Sequence, residues 1–227
     1  MSAAATSFPG FPEGFADFLF SLQFNNTIAL LPENKIAYQR LISEPLALLF
    51  HTLTPTALSV SETLLTKPSK CVSTMYSDMR FSRDTPLKGY MYIRFREPSC
   101  EKDILGLYFD MGCDYYSCGL RVYKQTSAGM ERIRECALEN SRLFTQELEN
   151  LNQLQMTLFG DAFAKDHYPG TENEVLKDLL NRKSFYVGRS CPVGEAVYNG
   201  QLLSQISDAY HGIKGLYSLL KKALYGD

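Results

Sequence analysis

Phe11, Phe15, Phe18, Leu19 and Leu22 recur at spacings of three and four, which predicts an amphipathic helix near the start of the chain. Pro12 and Glu13 suit its first turn, where a missing donor costs nothing and a carboxylate meets the positive dipole end. Asn25-Asn26 closes it, either as C-caps or with the amides turned into a site. Leu31-Pro32-Glu33 restarts a helix through Ile36, Ala37, Arg40 and Leu41, and Pro45 is expected to kink or end it. Leu46, Leu49, Phe50 and Leu53 carry the apolar face on to about Thr54-Pro55. From Thr56 to Ser69 the pattern is mixed, and a short helix followed by a loop at Lys67-Pro68-Ser69 is expected.

At Cys71 the period changes from three and four to two. Cys71–Tyr76, Tyr90–Phe95, Ile104–Asp110 and Tyr115–Tyr123 each read as strands, with turns at Pro98-Ser99 and Met111-Gly112. Alternation puts Met91, Ile93 and Phe95 on one face of the second strand and Tyr90, Tyr92 and Arg94 on the other. In the fourth, Tyr116, Cys118, Leu120 and Val122 oppose Tyr115, Ser117, Gly119, Arg121 and Tyr123. The result is a half-buried antiparallel sheet of about four strands, with one face apolar and one lined by Tyr and Arg.

Helical spacing returns at Ser127, which reads as the cap of one long central helix with Glu131 in its first turn and Met130, Ile133, Ala137, Phe144, Leu148 and Leu151 inward. Gly160–Gly170 reads as loop, Val175–Leu180 as helix and Gly188–Gly200 as irregular. A final helix runs from Gln201 to about Leu224, with Leu202, Ile206, Tyr210, Ile213, Tyr217 and Leu220 inward. The fold class expected is α+β, an antiparallel sheet flanked by N-terminal helices, the long central helix and a C-terminal helix. No repeat and no long linker interrupts the pattern, so residues 1–227 are read as a single domain.

Charge changes this picture in one place. Met75–Arg96 holds Arg80, Arg83, Lys88, Arg94 and Arg96 against Asp78 and Asp84, five minus two, an excess of three positive charges in a chain whose net charge is −2. Such a local reversal is where a bound anion is expected, and the overall balance disfavours nucleic acid and anionic lipid as partners. The six cysteines form no CxxC pair, and Met1–Gly10 has neither a basic start nor an apolar run, so a reduced, cytoplasmic protein is expected. No run approaches the roughly 20 apolar residues of a spanning helix. His51, His167 and His211 lack cysteines at ligand spacing, and no P-loop, G-x-G-x-x-G or G-x-S-x-G occurs. No metal and no cofactor is therefore expected.

The run Asp78-Met79-Arg80-Phe81-Ser82-Arg83-Asp84, followed by Pro86 and Lys88, resembles the signature of the DUF2461 family of uncharacterised proteins, approximately R-D-x-R-F-S-K/R-D-K-x-P-Y-K. The resemblance spans the chain: Phe24-Asn25-Asn26 is similar to an early L-x-x-N-N element, Gly119–Tyr123 to a G-G-G-L-Y strand, and Leu179–Phe185 to an L-L-x-x-K-S-F element. Ser77 stands in place of an arginine, the segment after Asp84 is one residue shorter, Leu87 replaces a tyrosine, and one glycine of three remains. The resemblance implies a shared fold and a focus on this segment, but no reaction.

The candidate site joins Arg80, Arg83, Asp84, Lys88 and Arg121, with Asp78 and Tyr92 beside them. Guanidinium forks match the paired oxygens of phosphate or carboxylate, and Gly119 leaves room beside Arg121. A small anionic ligand is the expected partner, and the sequence leaves enzymatic status open. Two other readings stand beside it. Asp78 and Asp84 could neutralise Arg80 and Arg83 in a structural ion-pair network, or act as an acid–base pair. Alternatively, the Tyr/Arg sheet face could serve as a non-catalytic module for a protein or nucleic acid partner, with Tyr90, Tyr92, Tyr115 and Tyr123 stacking or donating. The oligomeric state is left open.

Overall fold

The computed structural model describes residues 7–77, 85–98 and 101–226. The chain is α+β, built on an antiparallel sheet. Among the described residues the sheet has five strands in the order β1-β2-β3-β5-β4: β1 Met91–Arg96, β2 Ile104–Met111, β3 Tyr115–Tyr123, β4 Thr157–Phe159 and β5 Tyr186–Pro192. Five strands replace the expected four or so, and two of the expected assignments change. Cys71–Tyr76 is not a strand: Pro68–Cys71 makes a helical turn (α5), followed only by the isolated bridges Val72↔Ile93 and Tyr76↔Leu87. Between those bridges Ser73 pairs with Tyr92 partly through its side chain, Oγ accepting from the Tyr92 amide at 2.9 Å, so no regular ladder forms. Conversely, β5 runs into the stretch read as irregular, its last five residues, Gly188–Pro192, falling there. Gly188 and Pro192 hide its periodicity, although it pairs with β3 along its whole length.

Alternation sorts the sheet into the two faces expected. Met91, Ile93, Phe95, Leu105, Leu107, Phe109, Cys118, Leu120 and Val187 are fully buried on one of them. Helices cover that face: α4 (Glu44–Val60) packs on β1, with Phe50 stacked on Phe95 at 5.3 Å, and α9 (Gln201–Gly212) packs on β3. The long α4 begins with Pro45 in its first turn, after a π-turn at Gln39–Ser43, and runs through Pro55 rather than stopping there. Its inner stripe of Leu46, Leu49, Phe50, Leu53 and Ala57 is wholly buried, and that packing outweighs the backbone bond the proline removes.

At the start of the chain α1 (Phe15–Ser21) buries Phe15 and Leu19 as its spacing predicts but begins after Pro12 and Glu13, with Gly14 at its N-cap, and α2 (Leu30–Glu33) and α3 (Lys35–Tyr38) lead into the π-turn. The expected central helix is two, α6 (Ser127–Glu139) and α7 (Ser141–Gln153). They divide at Asn140, whose side-chain amide donates to the Cys136 carbonyl at 2.9 Å and competes with helix continuation. Thr126, not Ser127, caps α6: its Oγ1 accepts from the Gly129 amide at 2.9 Å and donates to Asp103 at 2.7 Å. The C-terminal helix likewise divides at Ile213 into α9 and α10 (Lys214–Tyr225), and Asn150 donates to the Gly212 carbonyl at the break. The short α8 (Glu174–Leu180) forms where a helix over Val175–Leu180 is expected and buries Leu176, Leu179 and Leu180.

Candidate functional site

Among the described residues the helices leave the second face of the sheet uncovered, and its side chains follow from register. Tyr92 lies opposite Asp110, which lies opposite Ser117, which lies opposite Ser190. One step along, Arg94 faces Tyr108, then Gly119 and Gly188; a further step gives Arg96, Gly106, Arg121 and Tyr186, with Phe159 beyond on β4. The glycines sit where neighbours close in. A Cβ at Gly188 would collide with the Tyr108 hydroxyl, and one at Gly119 with the Val187 carbonyl.

Cations and rings alternate across this face. Lys88 lies 5.4 Å from the Tyr92 ring and Arg94 only 3.8 Å from it; Arg94 is also 5.3 Å from Tyr123. Arg121 lies between Tyr123 at 5.7 Å and Tyr186 at 5.4 Å, and Tyr186 stacks on Phe159 at 5.0 Å. The ladder runs from the β1 edge to the β4 edge and fixes the guanidinium planes against ring faces. None of the ion pairs among the described residues involves Lys88, Arg94, Arg96 or Arg121.

Among the described residues three clefts open on the ladder, the third where Lys124, Gln125 and Asp161 join Arg121, Tyr123 and Tyr186. The first, of about 270 Å³, lies between the 69–74 segment and β1; Lys70, Lys88, Tyr92, Arg94 and Arg96 line it, and no carboxylate does. Two of its cations are held by carbonyls: Lys88 Nζ donates to Thr74 O at 2.8 Å and Arg96 Nη2 to Lys70 O at 2.9 Å. Burial, with the nearby Arg94 charge, pulls the Lys88 ammonium below its ordinary value. The second cleft, of about 290 Å³, is lined by Tyr108, Asp110, Tyr115, Ser117, Arg121, Phe159, Tyr186 and Ser190.

Polar atoms between these clefts are buried and unsatisfied. Arg94 Nε, Asp110 Oδ1 and Tyr123 Oη are each shut from solvent with no hydrogen-bond partner among the described residues. Burial raises the Asp110 carboxyl, an effect Arg94 and Arg121 only partly offset, and burial also raises the Tyr123 phenol. Such groups on an open face are unusual, because buried polar atoms nearly always find partners.

Of the residues expected at the site, the structure brings Lys88 and Tyr92 together in the first cleft and sets Arg121 two strands away beside the second. Asp78, Arg80, Arg83 and Asp84 lie outside the described residues, as does Ser99 of the expected Pro98-Ser99 turn. The ends of the segment are pinned, with Ser77 N donating to Pro86 O and Lys88 N to Met75 O, both at 2.8 Å. Asn26 holds the same strand end: its amide donates to Leu87 O at 2.9 Å and its oxygen accepts from Leu87 N at 2.8 Å. That amide therefore clamps backbone rather than capping its helix. The residue missed most completely is Asp110. Its only signal was position, as the lone carboxylate in register with Tyr92.

Among the described residues no group of three His, Cys, Asp or Glu side chains gathers as a metal site, and no helix is long and apolar enough to cross a membrane. Fold and site together define an α+β protein with one sheet face covered by helices and the other an open array of cations and rings. The chain belongs to the DUF2461 family of conserved hypothetical proteins, whose model matches residues 14–218. A search of curated proteins finds no match.

Proposed function

We propose that this is a cytoplasmic protein that binds a small anion, phosphate or carboxylate, in the cleft beside β1. The observation that carries the reading is the composition of that cleft: four cations, Lys70, Lys88, Arg94 and Arg96, around about 270 Å³ with no carboxylate among the lining residues. Like charges held together are costly without a counter-charge, and the nearby Arg94 charge adds to burial, the larger cause, in lowering the Lys88 ammonium. A bound anion removes that cost. Charge-assisted hydrogen bonds contribute on the order of 1.5–3 kcal/mol each when sheltered, so two or three retain a small ligand. Tyr92, held between Lys88 and Arg94, fixes the direction from which the guanidinium donates. Arg121 belongs to the proposal as a further source of positive potential along the face, and Arg80 and Arg83, with Asp78 and Asp84 as counter-charges, belong to it on the sequence alone.

The test is thermal unfolding in phosphate or sulfate against sodium chloride of equal ionic strength. The wild-type protein is expected to gain stability from the oxyanions beyond the chloride control. In Lys88→Gln/Arg96→Gln that gain is expected to vanish. An identical gain in both proteins rejects the cleft. The ladder of cations and rings supports a second reading, a non-catalytic module for a protein or nucleic acid partner. Retention of a partner by the same double variant, with no oxyanion effect in the wild type, favours that module.

A further inference from the structure

We propose that the second cleft receives the planar, N–H-donating ring of the anionic ligand, which makes that ligand a nucleoside monophosphate in chemical class. The inference rests on the anion reading above and assigns what the anion is attached to. Its first support is the unsatisfied acceptor: Asp110 Oδ1 is buried without a partner, and Asp110 lines the cleft. A carboxylate has no proton to give, so it calls for a donor, and two adjacent N–H groups on a ring edge meet both oxygens at once.

The second support is the wall. Phe159 and Tyr186 lie nearly parallel, 18° apart, and Phe159 remains 36% exposed, so an aromatic surface stands open to a flat ligand. Tyr115, 37% exposed, lies among the residues of the same cleft. Ring stacking on such surfaces stabilises by face contact and tolerates ring identity, while the carboxylate selects for donors. The hydroxyls of Ser117 and Ser190 add partners for a sugar.

The third support is spacing. Tyr92 in the anion cleft and Asp110 in the second are direct register partners, one strand apart at about 4.8 Å. Arg94 and Tyr186 are three strand spacings and two residues of rise apart, roughly 16 Å between backbones, with both side chains on the same face of the sheet. A ligand with its phosphate on Arg94 can therefore set its ring in the second cleft, with the donor edge on Asp110 and the face towards Tyr186. Guanine fits the acceptor best, since its N1–H and N2–H₂ donate side by side.

Calorimetric titration of the intact chain with inorganic phosphate, guanosine 5′-monophosphate and glucose 6-phosphate tests this. The nucleotide is expected to bind at least about ten-fold more tightly than phosphate. Asp110→Asn and, independently, the half-exposed Phe159→Ala are expected to bring the nucleotide down to the phosphate level, and Phe159→Ala, at a residue that does not line the anion cleft, is expected to leave phosphate binding unchanged. Nucleotide affinity no greater than that of phosphate overturns the ring assignment while the anion cleft stands. Tighter binding of the sugar phosphate than of the nucleotide overturns the planar ring. Absence of binding by phosphate and nucleotide alike overturns the anion cleft itself.

Discussion

Burial raises the Asp110 carboxyl, and the guanidinium groups of Arg94 and Arg121 offset only part of that rise. A carboxyl with a raised folded-state value holds its proton more tightly in the folded than in the unfolded chain. Its stabilising contribution is complete below the unfolded value, near 3.9, and is lost as pH rises through the folded one. At neutral pH the charged side chain therefore destabilises the fold. Asp110→Asn, close to isosteric, is expected to melt above wild type at pH 7, with the difference shrinking to nothing towards pH 3.5. Arg94 and Arg121 act on the group as fixed positive charges, and burial pushes the neighbouring Tyr115 and Tyr123 phenols further up, away from that window. Melting curves at half-unit pH steps decide the matter. A constant difference, or a variant less stable at pH 7, rules out the stored cost.

At the scale of elements, period-two alternation made β1, β2 and β3 legible almost to the residue, because each has one wholly buried face. It failed for β5, where Gly188 and Pro192 interrupt the apolar pattern for reasons that lie outside the strand. Gly188 is small because the Tyr108 hydroxyl, reaching towards Ser117 at 3.2 Å, occupies the space a Cβ would take. No periodicity within residues 186–192 can reveal a neighbour on another strand. Gly119 is a harsher case, since a Cβ there meets the Val187 carbonyl, and backbone yields less than a side chain. Gly188→Ala is expected to cost about 1–3 kcal/mol through displacement of Tyr108, and Gly119→Ala at least about 3 kcal/mol. Urea midpoints rank the two, and equal losses would mean that the β3–β5 spacing relaxes freely. The breaks at Asn140 and Ile213 escaped for a related reason: the apolar stripe continues across each of them, so helical spacing alone does not register the division.

For the whole molecule, the sequence marked the positive segment and the Tyr/Arg face but not the pairing that joins them. Lys88, Tyr92 and Arg94 are near in the chain, whereas Asp110, Arg121 and Tyr186 reach the face only through sheet register. The same holds for the polar centre that ties helices to sheet. Glu97, 4% exposed just beyond β1, accepts from Ser61 at 2.6 Å, Thr63 at 2.5 Å and Tyr217 at 3.0 Å, and pairs with Lys221 at 3.2 Å. Its partners come from the end of α4 and from α10, up to 124 positions away in the chain. Burial alone would raise this carboxyl, yet the four donors together hold it below its ordinary value. A depressed carboxyl stabilises above the unfolded value, near 4.3, and loses that contribution as pH falls through the folded one. Glu97→Gln is therefore expected to cost about 1–3 kcal/mol at pH 7, and the gap to wild type is expected to narrow on acidification below pH 4. Lys221→Met removes only the half-exposed member and leaves three hydroxyl donors in place, so its cost is expected to be smaller. Urea unfolding of both variants at pH 7 and pH 3.5 separates charge from packing. A Glu97→Gln deficit of the same size at both pH values would mean that shape, and not the carboxylate's charge, holds α4 and α10 to the end of β1.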